Sequence, residues 1–168
     1  AGTVIAIHSN VAFIQSVGYE TIDGLFSISQ TPIMNFVLHP RLEADTTFIA
    51  DWPVNRVLLM NDANYPWLVL VPRLEGLRDF HDVPAADAAA FHDEINGAAR
   101  ALKEITGAAK MNTAALGNMV PQLHVHVIAR FESDVAWPDL VWGKNPAVTY
   151  GNGEAETLIE RFLAVAGK

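Results

Sequence analysis

Over its first two thirds the chain alternates short apolar blocks with clusters of turn formers. Thr46 to Ala50 reads as a strand and is followed by the turn-forming Asp51-Trp52-Pro53. Arg56 to Met60 and Trp67 to Val71 are apolar runs of strand length, separated by Asn61 to Pro66, with Pro72 ending the second. Blocks of this length between turn clusters are what paired, buried strands look like. From Ala85 to Ile105 the period changes to helical. Phe91, Ile95, Ala98, Ala99 and Leu102 recur at steps of three and four and form one buried stripe. Pro84 opens this helix, where its missing N–H costs nothing, and Gly107 ends it. Ala109 to Thr113 and Leu123 to Ala129 read as two more strands, and Glu154 to Ala166 as a closing amphipathic helix. The fold class expected is α+β: a mainly antiparallel sheet of about five strands, one long helix across one face, and a C-terminal helix.

Residues 1 to 33 are rich in β-branched and small polar side chains, with turn signals at Gly18 and at Asp23-Gly24. They read either as an extension of separate origin or as an edge hairpin of the same fold, with the main domain running from residue 34 to residue 168. The apolar opening residues carry His8, Ser9 and Asn10 and no basic leader, so they read as neither signal peptide nor anchor. No stretch reaches the roughly 18 uninterrupted apolar residues of a membrane span.

Composition narrows the picture. Half the residues, 51%, are hydrophobic against 18% charged, which is a packed globular profile. The formal charge of −8 argues against a broad nucleic-acid surface, since phosphate backbones are gripped by lysine and arginine. A small phosphorylated ligand remains compatible with it. With no cysteine, disulfides and thiolate metal sites are excluded, and a cytoplasmic location is expected.

The chemistry concentrates in Gln122-Leu123-His124-Val125-His126-Val127-Ile128. On a strand, Gln122, His124 and His126 point to one face, about 7 Å apart at each step, and Leu123, Val125 and Val127 to the other. Two chemistries use such a pair of imidazoles. One is metal binding, for which His39, His81 and several carboxylates are candidate third ligands. The other is nucleophilic and acid–base work on a phosphorus ester without a metal. Residue physics leaves both open. His81, His92, Phe80, Phe91 and Trp67 read as ordinary structural residues. The Trp137 to Gly143 segment, with two tryptophans in a loop, reads as a cover for a ligand site or a subunit interface.

The run Q-L-H-V-H-V-I, after Asn112 and Gly117-Asn118, resembles the H-x-H-x-H-x-x signature of the histidine triad (HIT) family. The flanks are similar too: Leu59-Met60-Asn61-Asp62, Tyr65-Pro66, Leu68 to Pro72, and Phe80 to Val83 leading into the long helix. The likeness covers about Met34 to Trp142. It implies that His124 is a nucleophile toward the α-phosphorus of a nucleotide, through a covalent nucleotidyl-histidine. It further implies that His126 stabilises phosphate or leaving group, that Asn112 and Asn118 face phosphate, and that Asn61 contacts ribose. The departure is Gln122, which stands where the family has its first histidine and cannot relay a proton as a cation.

The expected function is therefore hydrolysis or nucleotidyl transfer on a nucleoside phosphoramidate or dinucleoside polyphosphate. The resemblance implies a homodimer paired through the long helix and its neighbouring strand. It implies no required metal or cofactor, with Mg²⁺ only alongside a polyphosphate substrate. The alternatives are a nucleotide-binding protein with weak turnover and a metalloprotein using the His124–His126 pair.

Overall fold

The computed structural model describes residues 36–166, all within one compact unit spanning Ile33–Lys168. The hairpin or extension expected at residues 1 to 33 lies outside the described residues. Helix α1 (Pro40–Asp45) is followed by strands β1 (Thr46–Asp51), β2 (Asn55–Met60) and β3 (Trp67–Pro72). Next come a single 3-10 turn at Phe80–Asp82, the long helix α2 (Ala85–Thr106), strands β4 (Lys110–Ala114) and β5 (Val125–Arg130), and helix α3 (Glu154–Ala166). The strands form one antiparallel sheet in the order β1-β2-β3-β5-β4. The α+β architecture expected from the sequence is the one observed.

The apolar runs are continuous because both faces of the central strands are covered, so most side chains on either face are apolar. On one face Val57, Leu59, Leu68, Leu70, Val125 and Val127 pack against Phe91, Ile95, Ala98 and Leu102 of α2 and Phe162 of α3. On the other, Leu58, Trp67, Val69, Val71 and Ile128 pack against Leu42 of α1 and against Ala136 and Val141 from the segment after β5. Glu94 of α2 accepts hydrogen bonds from the backbone of Val54 and Asn55, tying the helix to the β1–β2 turn. Gly107 ends α2 with φ 68°, and its N–H donates to the Lys103 carbonyl at 2.8 Å. That left-handed conformation is open to glycine at little cost.

Two elements depart from the sequence reading. Helix α1 has no counterpart in it, because six residues give too little period to detect. Its start is set instead by Pro40 and by His39, whose Nδ1 accepts the Arg41 N–H at 3.2 Å. Strand β5 begins at Val125 rather than Leu123. The Leu123 N–H donates to the Leu77 carbonyl at 2.9 Å, outside the sheet, so ladder pairing starts only with Leu70 opposite Val125. The alternation of faces still runs back through His124, with Leu123 buried in the helix-side core.

Arg130, at the end of β5, is almost fully buried. Its guanidinium donates through Nε and Nη2 to the Asp134 carboxylate at 2.8 and 3.1 Å, through Nη1 to Asn112 Oδ1 at 2.8 Å, and through Nη2 to the Asp139 carbonyl at 3.0 Å. Burial alone would raise the Asp134 carboxyl; Arg130 and the N–H groups of Phe131 and Ala136 hold it below the ordinary carboxylate value. This node pins residues 134–142 over the second face of the sheet. Removing one partner of a buried pair leaves the other charge uncompensated. Asp134→Asn is therefore expected to destabilise the fold by about 3 kcal/mol in urea unfolding. The double variant Arg130→Met/Asp134→Leu should lose less than the sum of the two single changes.

Candidate functional site

His124 and His126 face the side of the sheet that carries α1 and residues 134–142, and both are buried, at 7% and 5% exposure. Their rings lie 4.9 Å apart between centroids and nearly perpendicular, at 82°. Buried imidazoles need partners for their ring nitrogens, and here the partners fix the tautomers. His124 Nδ1 lies 2.7 Å from the Gln122 carbonyl oxygen. A carbonyl only accepts, so Nδ1 carries the proton and Nε2 keeps a free lone pair. For His126 the arrangement is reversed. The Trp67 indole N–H donates to His126 Nδ1 at 3.0 Å, so the neutral ring carries its proton on Nε2. One ring offers an electron pair and its neighbour a hydrogen-bond donor.

Burial, and secondarily the charge of His124, push the His126 pKa down to about 3. The ring is neutral near pH 7 and acts as a hydrogen-bond donor, not as a cationic acid. Trp67 and Trp142 enclose it, with ring centroids 5.3 and 5.5 Å from the imidazole and the two indoles 5.9 Å apart at 88°. The Trp142 Nε1–H is buried and has no partner among the described residues. Beside these indoles a cavity of 340 Å³ is lined by Asp45, Asn61, Trp67, Trp142 and Asn145, among others.

The other sequence candidates take distinct places. Asn61 borders that cavity; its Oδ1 accepts the Thr47 hydroxyl at 2.8 Å and its N–H donates to the Asp45 carbonyl at 3.0 Å. Asn112 sits on β4 opposite Ile128, two residues before Ala114, which is opposite His126. Its side-chain oxygen is engaged by Arg130, which leaves the amide N–H groups as its donors. Asn118 stands exposed in the loop before the histidines, next to Gly117 with φ 69°. Gln122 gives His124 its backbone carbonyl, whereas its side-chain amide is engaged elsewhere. That amide accepts the His39 N–H at 2.9 Å and donates to the Val37 carbonyl at 3.0 Å. A larger cavity, 640 Å³, opens beside Gln122, between Phe36, Val37, Leu77 and Arg78.

His81 and His92 are exposed and stand outside this cluster; His92 Nδ1 bonds the Ala88 carbonyl within α2. Among the described residues the one group of three side chains spaced for a metal is Asp79, His81 and Asp82, at the exposed 3-10 turn. No third ligand joins His124 and His126 there. Sequence reasoning missed Trp67, read as ordinary core, and the Arg130 node. Trp67 is a donor at the head of an apolar strand, but its pairing with His126 depends on sheet register, which local pattern does not carry.

The chain has counterparts among known proteins. A family model described as the HIT domain matches residues 41–133. The chain is 45% identical to a histidine triad protein of known structure from Bradyrhizobium japonicum, over 78% of this chain and 98% of that one, with a TM-score of 0.77. A histidine triad protein from Sinorhizobium meliloti 1021 is 41% identical over 79% and 98% of the two chains, with a TM-score of 0.77. One from Marinobacter aquaeolei VT8 is 41% identical over 79% and 96%, with a TM-score of 0.76. No curated protein matches the chain.

The depressed His126 pKa has a consequence for stability. The unfolded chain takes up a proton near pH 6.5, whereas the folded one resists it down to about 3. Between these values the unfolded state binds more protons. Stability is therefore complete above about pH 6.5 and is lost as pH falls, by about 1.4 kcal/mol per unit. Asp51 and Asp134, both held below the usual 3.8, withdraw stability only at lower pH. Urea midpoints from pH 7.5 to 4.5 should fall in the wild type and flatten in His126→Phe. An equal slope in both would assign the acid sensitivity to other groups.

Proposed function

Because the chain belongs to the histidine triad family, we propose that it hydrolyses or transfers nucleotides at the α-phosphate, with His124 as the nucleophile. The observation that carries this reading is the opposed tautomer pair, a lone pair on His124 Nε2 beside an N–H on His126 Nε2. In the first step His124 Nε2 bonds to phosphorus while the bond to the leaving group breaks, giving a nucleotidyl-histidine. The ring becomes an imidazolium whose remaining proton stays on Nδ1, against the Gln122 carbonyl. His126 holds a phosphoryl oxygen through its N–H as charge develops there. Because His126 stays neutral, the leaving group takes its proton from water. In the second step water or an acceptor hydroxyl attacks phosphorus and gives its proton to solvent, the P–N bond breaks, and its electron pair returns to His124 Nε2.

The cavity beside Trp67 and Trp142 suits a nucleoside, with Asn61 toward ribose. Asp45 and Asn145 also line this cavity. Asn112 and Asn118 serve the phosphate side. Substrates of this reading are nucleoside phosphoramidates and dinucleoside polyphosphates, with Mg²⁺ accompanying the latter. A homodimer through α2 and β4 and a cytoplasmic site of action belong to the same proposal. Among the described residues no helix is long and apolar enough to cross a membrane.

A second reading, nucleotide binding with weak turnover, draws on Gln122, which cannot carry a proton as a cation. The metalloprotein reading has less support, since both Nδ1 atoms are engaged and the described residues bring no third ligand to the pair. Stoichiometric zinc in protein purified without added ions would revive it.

His124→Ala should lower release of AMP from adenosine phosphoramidates by at least about 10³-fold while nucleotide still binds. Quenched wild-type reactions should yield a nucleotide adduct on His124 by mass spectrometry. Near-normal turnover in the variant would remove His124 as nucleophile, and binding without release in the wild type would favour the second reading.

A further inference from the structure

We infer that the Gln122 side chain is a positioning residue whose amide clamps residues 37–39 and thereby holds the carbonyl that orients His124. The inference rests on the reading of His124 as nucleophile.

The Gln122 carbonyl and the Leu123 N–H belong to one planar peptide unit. That unit precedes the paired part of β5, so the sheet ladder does not fix it. Pro121 before it has no N–H to contribute. Two sets of bonds fix it instead. On one side the Leu123 N–H donates to the Leu77 carbonyl at 2.9 Å. On the other the Gln122 amide accepts from His39 N–H at 2.9 Å and donates to the Val37 carbonyl at 3.0 Å. With the plane held at both ends, its oxygen sits 2.7 Å from His124 Nδ1 and keeps the lone pair on Nε2.

An amide is suited to this task because its donor and acceptor lie side by side at one planar end. They match a backbone carbonyl and N–H two residues apart, as a neighbouring strand would. An imidazole also has one donor and one acceptor when neutral, but they diverge across the ring. A histidine at position 122 therefore cannot reproduce both bonds. The clamp also reaches the cavity. His39 caps α1, α1 ends at Asp45, and the Asp45 carbonyl takes the Asn61 N–H, with both residues lining the 340 Å³ cavity. One strut supports both the nucleophile and the cavity wall.

The test uses the full chain with Gln122→Met, which keeps length but removes both amide bonds, and Gln122→Glu, which keeps only the acceptor. Adenosine phosphoramidate is the substrate. Gln122→Met should lower kcat by about tenfold with KM within about twofold, and Gln122→Glu should fall between it and wild type. The ¹⁵N spectrum of the histidine rings, assigned with His124→Ala, should show His124 passing from the Nδ1–H form to a mixture of tautomers. A merely structural role would lower thermal stability without moving that signal. Gln122→His should bring no gain in turnover. An unchanged His124 signal and kcat in Gln122→Met overturns the inference; if that variant does not fold, the same outcome in Gln122→Glu does so. Should wild-type protein release no AMP, the proposed function fails, while the ring signal still decides whether the clamp exists.

Discussion

A guanidinium taken out of water needs partners for its nitrogens, and Arg130 finds most of them in the segment that covers the histidines. Asp134 meets it in two bonds, the Asp139 carbonyl in another, and Asn112 from β4 in a fourth. The loop after β5 is therefore bound to the sheet at a place set by a charge. From that anchor the chain carries Val141 into the second core and Trp142 against His126. The aromatic wall around the site depends on this pair, as does the burial that keeps His126 neutral.

Burial then does chemical work at the histidines. Two imidazoles in water would exchange protons and tautomers freely; here each has one nitrogen committed to a fixed partner. A backbone oxygen selects one tautomer and an indole N–H selects the other. The desolvation that depresses the pKa of His126 also strengthens its hydrogen bond to any phosphoryl oxygen brought beside it. In the proposed reaction the site would spend little on reorganisation, because its dipoles are already set.

Much of this was legible in the chain. The apolar blocks located all five strands to within a residue or two, because blocks flanked by turn formers leave few other ways to bury their side chains. The stripe from Phe91 to Leu102 gave the buried face of α2, and Gly107 its end. Alternation alone put Gln122, His124 and His126 on one side. What stayed hidden depends on partners far apart in sequence. His39 and Gln122 are 83 residues apart, and Trp67 and His126 are 59 apart. No local period encodes such pairings; they follow from which strands lie side by side and in what register. The late start of β5 has the same origin, since the Leu77 carbonyl that captures the Leu123 N–H comes from a loop.

The two indoles packed against His126 give the protein an optical consequence. Of its four tryptophans, Trp52 stacks on Phe162 at the helix-side core and Trp137 lies over Arg130, whereas Trp67 and Trp142 share one imidazole. Indole emission responds to the polarity and protonation of what it touches. Two of the four indoles thus lie beside the histidine pair, so a change in polarity or protonation there would reach the intrinsic emission without any attached label.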